Sequence, residues 1–402
     1  MPTALEKDDL IIVGGGPVGF CLALLLGQKG LAVRVIEKAS AIDEDLRAST
    51  FHPPTLDMLT PSGVTDELIA SGLICPTWQI RLHPSGERAV FDLSVLSDVT
   101  AHPYRLQCEQ WKLARALHKR AAALPNVRVM FDSEAETIVQ DDTGVTVTVK
   151  TPDGVKTFRA PYVAGCDGAR STVRASANMD FEGVTYPETT LLATTVFPFE
   201  DYLEGLSNVS YCWKEGGNFS LLKVPGRWRV SIYPEEGVPI DEQMTPEALN
   251  ASLQEIVARP EPYQINESRP YRVHMRIVPN YRAGRIVLAG DAAHVNSPSG
   301  GMGLNGGIHD AFELSKVLID IIKNGADDRL LDLYDRRRRP IAQNEILMQA
   351  DRNRARMRER DPARRRELLT ELQAITGDRA RMKTYLFKSS MLEGLRMAAE
   401  IS

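Results

Sequence analysis

Residues 10 to 37 read LIIVGGGPVGFCLALLLGQKGLAVRVIE, and this stretch decides the fold. Its four opening apolar residues, Leu10 to Val13, have the length and composition of a buried strand. Gly14, Gly16 and Gly19 then fill the spacing G-x-G-x-x-G. An apolar helix is predicted through Leu26, with Gly30 as its stop, followed by a second strand from Val33 to Ile36 and then Glu37. Each glycine has a physical reason: a tight turn, bare backbone against a pyrophosphate, and close packing of helix on strand. Glu37 lies 23 residues after Gly14, at a strand end where a carboxylate can accept both ribose hydroxyls of an adenosine. The unit predicts a Rossmann-like dinucleotide-binding α/β domain, with FAD and NAD both open.

Near the other end of the chain, residues 285 to 312 read RIVLAGDAAHVNSPSGGMGLNGGIHDAF. A short apolar run, Ile286 to Ala289, stops at Gly290-Asp291, which places a carboxylate at the carboxyl end of a strand, where open α/β sheets bind ligands. Pro298, Gly300, Gly301, Gly303, Gly306 and Gly307 follow, and an amphipathic helical pattern runs from 308 to 322. Such glycine density costs conformational entropy in a regular element. It suits backbone that must approach a ligand closely and deliver N–H groups at a helix start.

Between these ends, Tyr162 to Gly165 is another apolar run, closed by Cys166-Asp167-Gly168. Taken locally, that is an ordinary Asp-Gly turn. Arg47 lies in the polar stretch DEDLRAST, where it reads equally well as a pyrophosphate clamp or a solvated charge. His52, in Phe51-His52-Pro53-Pro54, precedes a helical pattern and reads more readily as a capping residue than as a base. A hairpin is predicted from 78 to 91, a helix from 109 to 123, and a meander of strands between 127 and 159.

Residues 181 to 280 alternate and are rich in aromatics, which predicts a mostly antiparallel sheet inserted before the first domain resumes. The expected organisation is a discontinuous nucleotide domain (1–180 and 281–345), a substrate domain (181–280) and a C-terminal helical segment (346–402). The arginine clusters 336–339 and 364–366 are interspersed with acids, so they read as solvated helix faces with a subunit contact, and a homodimer is the expected assembly.

Composition narrows the function classes. The 402 residues carry 43% hydrophobic and 25% charged side chains, as globular chains do, and suggest at least two domains. A net charge of −5 gives no bulk case for nucleic acid or an anionic membrane. The five cysteines are scattered without a C-x-x-C pair, so neither a disulfide framework nor a metal site is expected. There is no leader pattern and no apolar run of membrane-spanning length, and a cytoplasmic protein is the expectation.

Gly14-x-Gly16-x-x-Gly19 with Glu37, Cys166-Asp167-Gly168 and Gly290-Asp291-Ala292-Ala293-His294 with its glycine tail together resemble the single-component (class A) flavoprotein aromatic hydroxylases typified by para-hydroxybenzoate hydroxylase. The resemblance spans residues 10 to about 345. It implies a glutathione-reductase-like FAD domain, with Glu37 on the adenosine ribose and Arg47 and Gln107 on the pyrophosphate and ribityl region. Asp291 would bind ribityl hydroxyls, and the backbone at Gly303, Leu304 and Asn305 would meet the flavin pyrimidine edge. Asp167-Gly168 would serve both FAD and the nicotinamide cofactor, NADH or NADPH, which visits without a second βαβ unit. Pro298 matches the proline whose carbonyl lies near the reacting flavin.

The implied reaction is hydroxylation of a small phenolic or heteroaromatic ring by O₂ through a flavin hydroperoxide, at the cost of NAD(P)H. In the inserted sheet, Tyr211 and Ser220 are candidate relay hydroxyls, and His52 is a further catalytic candidate. No arginine aligns to pair a substrate carboxylate and Lys214 is the nearest cation, so the pocket is expected to be aromatic and neutral. A flavin halogenase is disfavoured because residues 228–234, WRVSIYP, lack the W-x-W-x-I-P signature. The remaining rivals are a flavin reductase or oxidase acting on a non-aromatic substrate, and an NAD-dependent dehydrogenase without flavin. The dehydrogenase would leave residues 290–307 idle.

Overall fold

Three strand ends lie side by side in the computed structural model, which describes residues 8–45, 47–235 and 237–402. The expectation of a leaderless N-terminus rests partly on residues 1–7, which lie outside the described residues. The first sheet has six strands in the order Arg282–Ala283, Ile286–Leu288, Tyr162–Gly165, Leu10–Val13, Val33–Ile36, Val127–Met130. All neighbours are parallel except the outermost pair, Arg282–Ala283 with Ile286–Leu288. Leu10–Val13, Val33–Ile36 and Tyr162–Gly165 are buried throughout, as strands covered on both faces must be, and hence near-continuously apolar.

Val13 pairs with Gly165, and Gly165 pairs with Leu288, so the segments after 13, 165 and 288 leave the sheet at one edge. The helix Pro17–Gln28 begins with Gly16 as N-cap and Pro17 in its first turn, the position where a missing N–H costs nothing. It packs against Gln110–Ala122 and Gly303–Asn324. Gly30, with φ +84°, turns the chain back into Val33–Ile36.

The amphipathic helix expected from 308 starts earlier, at Gly303, and runs to Asn324. Its early glycines are there for packing. A Cβ on Gly307 would lie 2.7 Å from Val18 Cγ2 and 3.1 Å from Gly290 Cα, and one on Gly306 would lie 2.7 Å from Ile346 Cδ1. The helical propensity lost is offset by the close approach of the helix to the Gly290 turn.

The antiparallel meander forms from Glu134–Asp141, Gly144–Thr151 and Gly154–Ala160. The large sheet has eight strands, and it reaches beyond the 181–280 segment. His294–Val295 adds to one edge of Ile265–Ile277, and the hairpin Thr77–Leu82/Arg88–Asp92 adds to the other side through a parallel pairing with Val209–Lys214. Cys212 and Phe219 face a core closed by Leu249 and Leu253 of Pro246–Gln254. Trp213 and Val209 face the opposite way, with Trp78 and Phe91.

The C-terminal helices cover that second face: Met357, Leu369, Leu372, Met382 and Leu386 pack on Trp78 and Phe91. Two of their arginines depart from the solvated reading. Arg338 is 1% exposed and Arg365 is 4% exposed. In Leu330–Ile341 the buried residues Leu331, Tyr334, Arg338 and Ile341 recur at helical spacing, so Arg338 lies on the inward face while Arg336 and Arg339 do not. Arg365 Nη1 and Nη2 donate to the Lys214 and Gly217 carbonyls at 2.6 and 2.8 Å, tying Pro362–Thr376 to the sheet.

Candidate active site

The glycine turn after Val13 shows its chemistry by what a side chain would strike. A Cβ on Gly14 (φ +107°) would lie 2.3 Å from Cys166 O, and one on Gly19 would lie 1.9 Å from Gly14 O. One on Gly16 would meet nothing within 4 Å. Gly14 and Gly19 are therefore fixed by packing, whereas Gly16 leaves bare backbone beside open space, the fit expected of a pyrophosphate cradle. Glu37 closes the turn: Oε2 accepts from Gly15 N at 2.6 Å and Oε1 from Ala39 N at 2.8 Å.

At the next strand end, Asp167 turns its carboxylate inward. It accepts from Ser171 Oγ at 2.5 Å and from Thr172 N at 2.7 Å, capping the short helix Thr172–Ser176. Burial raises its pKa, against those hydrogen bonds. Gly168 follows with φ +77° and open space where a Cβ would stand. The backbone, more than the side chain, is what this motif offers the cleft.

Asp291 is exposed at the third strand end, and no described protein group hydrogen-bonds to its carboxylate. It is nevertheless crowded enough for burial to raise its pKa, with the charges of His294 and Arg47 opposing. A carboxylate open to solvent at the foot of a cleft and crowded by protein fits a role toward ligand hydroxyls. Arg47 is exposed and paired with Asp45 at 2.6 Å, near enough for its charge to act on Asp291.

Beneath Asp291 lies a charge network that the sequence reading missed. Asp310 Oδ1 accepts from Arg338 Nε at 2.7 Å, and Oδ2 accepts from His294 Nε2 at 2.8 Å and Gly290 N at 3.1 Å. Burial alone would raise the Asp310 pKa; Arg338 and His294 outweigh it and hold it down to about 2. The Gly290 turn is thereby fixed from below.

The loop between Asp291 and the helix is stitched by Asn305. Its Oδ1 accepts from His52 N at 2.9 Å, and its Nδ2 donates to Thr50 O at 2.9 Å and Gly301 O at 2.7 Å. His52 Nε2 lies 2.8 Å from Gly300 O, and burial together with the nearby Arg105 charge lowers its pKa to about 3. His52 is thus neutral, and it anchors the glycine loop. Pro298 is exposed, and its carbonyl accepts from Gly301 N at 3.0 Å. Gly303–Asn324 begins without a side-chain cap, so the first N–H groups, including those of Gly303, Leu304 and Asn305, belong to an uncapped helix start at this loop. Gln107 is fully buried, its Nε2 on Thr50 Oγ1 at 2.9 Å and its Oε1 accepting from Ser49 Oγ at 3.2 Å.

Behind Ser299 and Gly300 lies a pocket walled by Trp78, Met302, Tyr211 and Tyr385. Ser220 stands directly across from Tyr211 in the sheet, and Ser231 across from Ser220, so the candidate hydroxyls share the face that Tyr211 presents. The expectation of a neutral pocket is corrected here. Arg105, on the short strand Arg105–Gln107, lines it at 3% exposure, and Arg356 lines it from Met348–Arg358. Lys214 is instead paired with Glu255. Arg105 was hidden because its strand belongs to a separate small sheet with Thr50–Phe51 and Leu73–Cys75, far from the segment where a substrate cation was sought. A second groove, between Glu87 and Pro362–Thr376, is open to solvent and lies away from the strand ends.

Among the described residues there is no cluster that could hold a metal ion and no helix long and apolar enough to cross a membrane. A family model described as an FAD binding domain matches residues 7 to 349. Para-nitrophenol 4-monooxygenase from Pseudomonas sp. (strain WBC-3) is 36% identical over 396 residues, 97% of each chain. The 6-hydroxy-3-succinoylpyridine 3-monooxygenase HspB of Pseudomonas putida (strain DSM 28022 / S16) is 34% identical, covering 83% of this chain and 86% of its own. The crystal structure of p-nitrophenol 4-monooxygenase PnpA from Pseudomonas putida DLL-E4 superposes with a TM-score of 0.91 at 33% identity, over 98% and 99% of the two chains. With the strand-end cleft, the bare Gly16 cradle and the adjoining aromatic pocket, these likenesses leave no place for a flavin-free dehydrogenase: the chain belongs to the FAD-dependent aromatic monooxygenases.

Proposed function

We propose that the chain hydroxylates a small phenolic or hydroxylated heteroaromatic compound, seated in the pocket behind Ser299 and Gly300, using NADH or NADPH and O₂. The observation that carries this reading is continuity. The loop that leaves Asp291 and enters Gly303–Asn324 forms one wall of the pocket through Ser299, Gly300 and Met302, so a flavin held by that loop would adjoin a ring bound in the pocket. Two relatives are named for rings that bear a hydroxyl, nitrophenol and a hydroxypyridine, which supports the substrate class.

When bound, FAD would supply the redox chemistry: two electrons from the nicotinamide and activation of O₂, with one oxygen atom ending on the ring and the other in water. The chain supplies placement and dryness. Glu37 would take the adenosine ribose, the Gly16 backbone and Arg47 the pyrophosphate, and Asp291 the ribityl hydroxyls. Gln107 would act from beneath, by holding Ser49 and Thr50. The uncapped N–H groups at Leu304 and Asn305 would meet the electron-accepting edge of the ring system, where a helix start favours negative charge. Pro298 would sit at the junction with the substrate, and Tyr211 and Ser220 would offer hydroxyls to it. Trp78, Met302, Met357 and Tyr385 keep water from the reacting centre. The five buried, unpaired cysteines support a cytoplasmic setting.

The test is NAD(P)H oxidation by the purified, FAD-loaded protein against a panel of phenols and hydroxypyridines, with product mass. A product heavier by one oxygen atom is expected. Turnover of nicotinamide with no oxygenated product from any ring would favour a reductase or oxidase.

A further inference from the structure

The substrate pocket is built from donors. Arg105 Nε and Nη1 are buried without a hydrogen-bond partner, and so are Trp78 Nε1 and Ser389 Oγ, all three residues lining the same pocket. Among the described residues, no aspartate or glutamate lines it. Arg356, the second guanidinium, is already engaged: its Nη1 donates to Tyr385 Oη at 3.1 Å. The Arg105 guanidinium lies 4.7 Å from the Trp78 ring centroid, so the ring backs it at the wall of the pocket. Burial lowers its pKa, while the neighbouring Tyr211 favours the charged form. A buried guanidinium with two unmet donors is costly unless something supplies an acceptor, and a negatively charged oxygen is the acceptor that offsets most of that cost.

We propose that Arg105 is the specificity-determining residue of the pocket: it holds an anionic oxygen of the aromatic substrate, so that the enzyme takes its ring compounds in ionised form. This rests on the reading of the pocket as the substrate site. The anionic oxygen belongs either to a phenolate or to a ring carboxylate, and both would meet the Arg105 fork with Trp78 Nε1 beside it. A substrate that arrives as phenolate has already released its proton to solvent, and its ring is more electron-rich. This accounts for a pocket lined by cations and hydroxyls with no carboxylate base.

The test measures dissociation constants of the FAD-loaded enzyme for 4-nitrophenol, benzoate and 4-nitroanisole, above the pKa of the phenol, in wild type, Arg105→Gln and Arg105→Lys. Arg105→Gln is expected to weaken an anionic probe by about 10- to 100-fold, the equivalent of a lost charge-assisted hydrogen bond, and to leave 4-nitroanisole unchanged. Arg105→Lys should recover part of the loss. Loss for 4-nitrophenol alone assigns the oxygen to a phenolate, and loss for benzoate alone assigns it to a carboxylate. The absorption of bound 4-nitrophenol should be that of the phenolate in wild type below its solution pKa, and should revert in Arg105→Gln. Equal losses for all three probes, or none, would overturn the proposal. FAD content and thermal midpoint, measured on each variant, separate misfolding from a binding effect. The mass of the product from wild type tests the proposed hydroxylation independently of Arg105.

Discussion

Asp310 reaches Gly290 from the interior of a helix, its Oδ2 accepting the Gly290 N–H at 3.1 Å while its Oδ1 is held by Arg338. Both side chains are fully buried, and removing one partner leaves an uncompensated charge, at a cost of about 3–5 kcal/mol. Asp310→Asn should therefore lower stability by that order and weaken FAD binding through the freed Gly290 turn. Asp310→Leu with Arg338→Met should recover most of the stability, because an apolar pair avoids the desolvation cost. Thermal unfolding and FAD titration of the three proteins check this, and a double variant no more stable than Asp310→Asn would refute the pairing argument.

Stability should fall as the solution is acidified from pH 6.5. His52 and His309 are buried, and burial lowers each to about 3 from 6.5, with the charge of Arg105 adding at His52 and that of Arg338 at His309. Both rings are neutral when folded, so between pH 6.5 and 3 the unfolded chain binds more protons and stability drops. The slope is about 1.4 kcal/mol per pH unit for each ring. Asp310 adds to the loss only between its unfolded value of 3.8 and about 2, where its depressed carboxyl takes up a proton. Denaturant unfolding at several pH values checks the slope, and His309→Gln should flatten it by one proton.

The two outer glycines of the first turn and the middle one should fail differently. Gly19→Ala drives a Cβ into the Gly14 carbonyl, 1.9 Å away, and should destabilise the fold itself. Gly16→Ala meets nothing within 4 Å and should leave the apoprotein as stable as wild type while weakening FAD. Equal thermal midpoints for the two apoproteins would contradict the division of roles.

The strand ends were legible in sequence because each couples an apolar run to a glycine turn, and both signals are local. The start of the long helix was not, because Gly303, Gly306 and Gly307 read as loop; only the closeness of Val18 and Gly290 shows why a helix would accept them. Arg338 was masked by the arginines around it, although Leu331, Tyr334 and Ile341 carry the inward spacing. The place of Trp78 in the pocket depends on a parallel pairing of Thr77–Leu82 with Val209–Lys214, across more than a hundred residues, and that of Arg105 on the small sheet with Thr50–Phe51 and Leu73–Cys75; no local pattern encodes either.

Tyr385 should govern how efficiently reducing power is used. Its ring stacks on Phe91 at 4.8 Å, and it walls the pocket from a helix at the C-terminal end of the chain, Arg379–Ser389. Tyr385→Ala opens that wall to water and should raise the share of NAD(P)H consumed that ends as hydrogen peroxide by several-fold, with FAD affinity unchanged. Peroxide and product assays on the same sample check this, and an unchanged ratio would show that the wall is not what keeps the site dry.

Glu37 binds two backbone N–H groups of this chain and would add the adenosine ribose. Glu37→Ala should weaken FAD by about 1.5–3 kcal/mol, the worth of the charge-assisted hydrogen bonds the proposed ribose contacts would make. An effect on the nicotinamide KM with FAD retained would move the residue to the other cofactor.

The most direct test of three strand ends gripping one flavin is an FAD titration of Asp291→Ala. Asp291 is exposed and has no hydrogen bond within the described protein, so removing its carboxylate takes no contact from the apoprotein. The variant apoprotein should be at least as stable as wild type, and its FAD dissociation constant should rise about tenfold or more. An unchanged FAD affinity would contradict the account.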